Sequence, residues 1–198
     1  MLTVIYIHGL GGSAREADHY KQVFKDANVI GFDYCSVYPW EAETEFQEFL
    51  DNNTQTPGPV ILIANSIGAY LAMQSLSGGR INKAFLISPV VDMEGLILRM
   101  MERSGITAAE LREKQEIATP FGEVLSWKYL CYARLHPVNW TTPTEILYGA
   151  GDKVTDRETI TRFAARIGAK LTVMENGEHW FHTEEQMAFL DSWLLRGI

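Results

Sequence analysis

Six short apolar runs recur along the chain, at residues 2–7, 29–33, 60–64, 84–87, 145–148 and 171–174. Each is nearly continuous in hydrophobicity rather than alternating, which is the pattern of strands covered on both faces. Longer stretches of helical period separate most of them. That alternation predicts a doubly wound, mostly parallel six-stranded α/β sheet with helices on both sides. Capping signals mark helix starts at Ser13-x-x-Glu16, Thr155-x-x-Glu158 and Thr183-x-x-Gln186. The last opens a helix carrying Met187, Leu190, Trp193 and Leu194 on one face. Residues 52–59 read as a turn-rich connection.

One segment breaks the rhythm. Residues 91–142 are too long for a single crossover, and helices are expected over 94–103, 108–117 and 123–136, the second opened by Thr107-x-x-Glu110. The segment is rich in large apolar side chains, among them Met93, Met100, Met101, Phe121, Trp127, Tyr129 and Tyr132. Most would be core. Together they also fit a lid whose inner face shapes a pocket over the strand ends. The expectation is one domain over 1–198, with 91–142 as a helical lid inserted between the fourth and fifth strands.

Composition removes several classes. A net charge of −8, with no Lys/Arg cluster, excludes a nucleic-acid partner. Cys35 and Cys131 lie far apart, which points to neither a disulfide framework nor a zinc site. The opening MLTVIYIHGLGG reads as a first strand and a Gly-rich loop rather than a leader peptide. No apolar run approaches the ~20 residues that span a bilayer. A cytoplasmic protein without membrane contact is expected.

Parallel sheets bind ligands at the carboxyl ends of their strands. The first strand is followed by His8-Gly9-Leu10-Gly11-Gly12-Ser13, the second by Asp33, the third by Ser66 and the fourth by Ser88-Pro89. Gly149-Ala150-Gly151-Asp152 follows the fifth, and Glu175-Asn176-Gly177-Glu178-His179 follows the sixth. Ser66, Asp152 and His179 thus fall at one edge in that order. A serine hydroxyl becomes a nucleophile when a base takes its proton, histidine does this near neutral pH, and a carboxylate orients the imidazole. Asp156 and His182 compete for the acid and base roles. Asp156 reads as a helix-start residue, and His182 directly precedes the cap Thr183. Glu178-His179-x-x-His182 lacks the spacing and the third ligand of a zinc site. A second reading is a dinucleotide site, in which Gly9, Gly11 and Ala14 match G-x-G-x-x-A and Asp33 ends the next strand.

The run Ala64-Asn65-Ser66-Ile67-Gly68 is close to the G-x-S-x-G elbow, with alanine at the first small position. With the order Ser66, Asp152, His179 and the insertion before the acid-bearing strand, the whole chain resembles the α/β-hydrolase superfamily. The resemblance implies a sheet lacking the family's usual N-terminal antiparallel hairpin. It also implies a serine hydrolase that cleaves a carboxylic ester or thioester without cofactor or metal. The backbone N–H groups of Leu10 and Ile67 would form the oxyanion hole. His8 is expected to shape that loop, and His8, Met100, Trp127 and Trp180 to line the pocket. Trp40 and Phe181 are expected near its mouth. The other class left open is a non-catalytic binding module on the same fold.

Overall fold

A computed structural model describes residues 1–76 and 79–198. The strands of the described residues are β1 (Thr3–Ile7), β2 (Asn28–Phe32), β3 (Val60–Asn65), β4 (Lys83–Ile87), β5 (Glu116–Ala118), β6 (Val124–Ser126), β7 (Thr144–Gly149) and β8 (Lys170–Met174). All but β5 and β6 join one parallel sheet in the order β2-β1-β3-β4-β7-β8. These are the six apolar runs, each within one residue at either end. The central strands β1, β3 and β7 are buried almost throughout, whereas the edge strands β2 and β8 are partly exposed.

The helices are α1 (Ala17–Tyr20), α2 (Pro39–Asn53), α3 (Ser66–Ser75), α4 (Met93–Ser104), α5 (Ala108–Lys114), α6 (Trp127–Leu135), α7 (Arg157–Ile167) and α8 (Glu184–Gly197). One face of the sheet gathers Val4, Tyr6, Ile61, Ile63, Phe85 and Leu147 against Tyr20 of α1 and Leu190, Trp193 and Leu194 of α8. Trp193 stands edge-on to Phe85 with centroids 5.3 Å apart. Burying each such side chain contributes about 1.5–3 kcal/mol, so α8 is held by its apolar face more than by its cap.

The expected elements differ from the fold in three places. Ser13-x-x-Glu16 opens only a 3-10 turn (Ala14–Glu16) and the four-residue α1. Helix α7 is capped by Asp156, whose side chain accepts from Thr159 N at 2.8 Å, and not by Thr155. Aspartate is the stronger cap, and Thr155 is drawn inward, its hydroxyl donating to the Pro89 carbonyl. Third, the helices expected over 108–117 and 123–136 are both shorter, because 116–126 is a β-hairpin. Gln115, at φ 65°, ends α5, and Thr119-Pro120-Phe121-Gly122 makes the turn, with Gly122 at φ 96°. Proline and glycine so placed are turn formers, and the residues flanking them, 116–118 and 124–126, pair as strands rather than extending the two helices.

The chain divides into two compact units. One comprises Met1–Val91 and Asn139–Ile198 and holds the six-stranded sheet; the other is Asp92–Val138. Within the second, Asp92 caps α4 by accepting from Gly95 N at 2.9 Å, and Arg134 of α6 pairs with Glu94 of α4 at 2.7 Å. Arg103 lies over the Phe121 ring at the hairpin turn, 3.6 Å from its centroid.

Candidate active site

Strand β3 passes into α3 with no intervening loop. Asn65 is the last strand residue and Ser66 the first helical one, at φ 50°. A left-handed non-glycine backbone costs about 1–3 kcal/mol and persists only where its surroundings over-determine it. Here β3 is hydrogen-bonded on both sides, Ala64 is fully buried, and Val90 N donates to the Ser66 carbonyl at 3.1 Å. Two glycines permit the close approach. A Cβ on Gly68 would collide with the His8 carbonyl oxygen, and one on Gly9 would lie 3.1 Å from Ser66 Cβ.

Strand order reverses between β1 and its neighbours β2 and β3, so the loop leaving β1 lies beside Ser66. His8 is buried in that loop. Its ring stacks on Tyr34 at 4.5 Å, Nδ1 lies 2.8 Å from the Gly9 carbonyl, and Nε2 lies 3.8 Å from Asp33. The Tyr34 hydroxyl donates to the His8 carbonyl at 3.0 Å. Burial, with Glu45 and Glu16 adding to it, pushes that hydroxyl up to about 12, so it stays a donor. Leu10, two residues on, exposes 91% of its surface.

The loops after β7 and β8 are pressed together through glycines. A Cβ on Gly149 would lie 2.5 Å from the Gly177 carbonyl carbon, and Gly151 N donates to the Gly177 carbonyl at 2.8 Å. This packing brings Asp152 and His179 to each other. The Asp152 side chain is fully buried with both oxygens engaged. Oδ1 accepts from Val154 N at 2.7 Å and Thr155 N at 3.1 Å, and Oδ2 lies 2.7 Å from His179 Nδ1. An ionised carboxylate can only accept, so Nδ1 carries the proton and Nε2 keeps its lone pair. Nε2 lies 2.8 Å from Ser66 Oγ. Serine, histidine and aspartate therefore form one hydrogen-bonded chain from three strand ends.

The competing residues are engaged elsewhere. Asp156 caps α7. His182 stacks on Trp180 at 4.8 Å, with Nδ1 2.7 Å from the Trp180 carbonyl and 3.5 Å from Glu178. Trp180 itself is 65% exposed. Phe181, expected near the mouth, is buried instead in the core with Trp193 and Leu194, where its ring is removed from water against an apolar face. Trp40 is half-buried and stacks on Tyr38 at 4.6 Å. Met100 on α4 and Trp127 on α6 are half-buried members of the Asp92–Val138 unit. Among the described residues no group of three or more His, Cys, Asp or Glu could hold a metal ion, and no helix is long and apolar enough to cross a membrane.

Sequence reading missed two contributors. Tyr34 could have been found from its place just past the second strand. Asn65 reads as an ordinary N-cap, yet it makes no side-chain cap, whereas the caps of α4, α5, α6, α7 and α8 all accept from a first-turn amide. The first amides of α3, Ile67 among them, have no intrahelical acceptor, and no side chain caps them.

The glycine-rich loop bears on the dinucleotide reading as well. Its helix-start amides are already held by the protein's own carboxylates. Ala14 N donates to Asp33 Oδ1 at 2.5 Å and Ser13 N to Glu16 Oε1 at 3.0 Å. A pyrophosphate would have to displace two anions. NADH or NADPH at about 1 mM is expected to leave the melting temperature unchanged; a ligand at 100 times its Kd would add about 2.7 kcal/mol, an easily measured rise.

A model of the α/β-hydrolase family matches residues 4–191, so the chain belongs to that family. Solved structures agree on the fold. Alpha/beta hydrolase domain-containing protein 10 from mouse superposes with a TM-score of 0.78 at 18% identity, covering 97% of this chain and 87% of that one. Est1E from Butyrivibrio proteoclasticus, solved with ferulic acid bound, gives 0.81 at 15% identity over 100% and 88%. The thioesterase domain from the curacin biosynthetic pathway gives 0.64 at 16% identity over 98% and 90%. A search of curated proteins by sequence returned no match.

Proposed function

We propose that the protein is a serine hydrolase that cleaves carboxylic esters through an acyl-enzyme on Ser66. The observation that carries this reading is the hydrogen-bonded chain Ser66–His179–Asp152 on a nucleophile held at φ 50°. His179 Nε2 takes the hydroxyl proton as Ser66 Oγ bonds to the carbonyl carbon. The amides of Leu10 and Ile67 hold the resulting oxyanion. Collapse breaks the bond to the leaving alkoxide, which receives the proton from His179. Water, deprotonated by the same imidazole, then releases the acid and frees Ser66. No step calls on a cofactor.

An ester is favoured over the thioester of a polyanionic carrier by the charge at the strand ends. The loops there in the sheet-bearing unit carry Glu16, Asp33, Asp152, Asp156, Glu175 and Glu178 against Arg15 and Lys153. Such an edge repels phosphates and tolerates neutral substrates.

A fluorophosphonate probe with intact-mass readout tests the reading. One adduct is expected, mapped to Ser66, absent in Ser66→Ala and slowed at least about 10³-fold in His179→Ala. A folded wild-type protein that takes no adduct would replace this reading with that of a binding module.

A further inference from the structure

Ser66 and the loop that bears Asp152 are joined a second time, through one peptide group. The turn after β4 runs Ser88-Pro89-Val90, and its first residue stands at φ 42°. Strands β3 and β4 pair in parallel with Asn65 opposite Ile87, so Ser88 leaves its strand level with Ser66. Ser88 is fully buried, and its N–H donates to the Leu147 carbonyl of β7 at 2.8 Å. The Pro89–Val90 peptide that follows is engaged from both sides. Its N–H, on Val90, donates to the Ser66 carbonyl at 3.1 Å. Its carbonyl, on Pro89, accepts from the Thr155 hydroxyl at 3.3 Å. The peptide is trans. Such a group is planar, with C=O and N–H pointing in opposite directions, so it acts as a rigid spacer between its two partners.

Thr155 is buried, and each of its polar groups is committed. Its N–H donates to Asp152 Oδ1 at 3.1 Å, its hydroxyl to Pro89, and its carbonyl accepts from the Tyr148 hydroxyl at 2.9 Å. The hydroxyl is thereby withdrawn from the start of α7, where Asp156 caps in its place. The hydrogen bonds close a ring. From Ser66 Oγ it runs through His179 to Asp152, through the Thr155 amide and hydroxyl to the Pro89–Val90 peptide, and back to the Ser66 carbonyl.

Resting on the serine-hydrolase reading above, we infer that Thr155 is a positioning residue whose hydroxyl, bonded to the Pro89 carbonyl, fixes the distance of Asp152 from the nucleophile. Thr155 touches neither the reacting atoms nor the proton in transit. It anchors Asp152 Oδ1, and Oδ2 in turn sets where the imidazole stands. The spacer gives the two loops a second connection, so Asp152 cannot recede from Ser66 while it holds.

Thr155→Val exchanges the hydroxyl for a methyl and keeps the amide on Asp152. The fluorophosphonate labelling rate is expected to fall at least about 10-fold, within the 10²-fold that a displacement of about 1 Å can cost. Hydrogen exchange at the Val90 amide, followed by NMR, is expected to quicken, because its peptide has lost one of two anchors. The Ser88 amide, held by Leu147, is expected to keep its wild-type rate. Thr155→Ser and Thr155→Ala differ by that one oxygen, so the pair reads the hydroxyl even if valine is not accommodated. Serine is expected to label at close to the wild-type rate, and alanine to fall with valine. Equal labelling rates for the serine and alanine variants, or Val90 exchange unchanged by loss of the hydroxyl, would overturn the inference. So would exchange quickened at Val90 and Ser88 alike, the mark of a general loss of stability. A wild-type protein that takes no label would defeat the hydrolase reading instead, and the Val90 exchange still decides whether Thr155 holds the spacer.

Discussion

Asp152→Asn should lower kcat on an ester substrate by about 10⁴-fold while leaving the fold intact. Asn at this position retains a carbonyl oxygen for Val154 N and Thr155 N, which Oδ1 serves now. Its amide nitrogen then replaces Oδ2, the atom 2.7 Å from His179 Nδ1. That nitrogen donates where the carboxylate accepted. The imidazole must switch tautomer, its proton moves to Nε2, and Nε2 can no longer accept from Ser66 Oγ. Asp152→Ala separates the two duties of the side chain. It also loses the base's orientation, but it leaves the Val154 and Thr155 amides without their acceptor, at about 1–3 kcal/mol for an unsatisfied buried group. Thermal melts should therefore rank Asn close to wild type and Ala clearly below it, with both nearly inactive. Asp152→Asn retaining more than a tenth of wild-type turnover would remove Asp152 from the mechanism.

Gly68→Ala should cost both stability and activity. A single methyl there meets the His8 carbonyl oxygen, with Ile7 Cγ2 at 2.9 Å and the His8 carbonyl carbon at 3.0 Å. These are atoms of β1 and the residue just after it, which the sheet fixes, so the helix and not the strand must move. Overpacking of this kind costs up to about 3 kcal/mol. Replacing glycine within a helix returns about 1 kcal/mol. The net loss of about 2 kcal/mol corresponds to a fall of about 4–8 °C in Tm for a chain of this size. Since α3 starts at Ser66, its displacement also separates Ser66 Oγ from His179 Nε2 and the Ile67 amide from the loop bearing Leu10. Differential scanning calorimetry and the fluorophosphonate rate check the two effects together. An unchanged Tm would mean that α3 packs on β1 with slack, and that Gly68 is not required by the elbow.

Much of this protein was legible in one dimension. A strand buried on both faces has to be apolar throughout, so six near-continuous runs marked the sheet to within a residue. Parallel strands need crossovers, so the alternation with helices carried the fold class. The carboxyl edge of such a sheet is where side chains converge, so Ser66, Asp152 and His179 could be singled out merely because each follows a strand end. Gly68 was recognisable for the same local reason, as the small residue an abrupt strand-to-helix turn demands.

Other features depend on residues distant in sequence, and only the tertiary structure decided them. The hairpin over 116–126 overrode helical patterning through a turn at Pro120 and Gly122. The sequence marks Thr155 as the start of α7, but its hydroxyl donates to the Pro89 carbonyl and Asp156 caps the helix instead. Choosing Asp152 over Asp156 and His179 over His182 was a matter of loop against helix start in the sequence. The 2.7 Å and 2.8 Å contacts arise because Gly149, Gly151 and Gly177 let two loops touch. Asn65 shows the limit most clearly. Its type suits a cap, yet its side chain holds none of the α3 amides, because the turn at Ser66, at φ 50°, departs from the backbone that an ordinary helix start follows. Periodicity reports what a residue does for its own element; a hydrogen bond across the sheet is set by register, which no local pattern encodes.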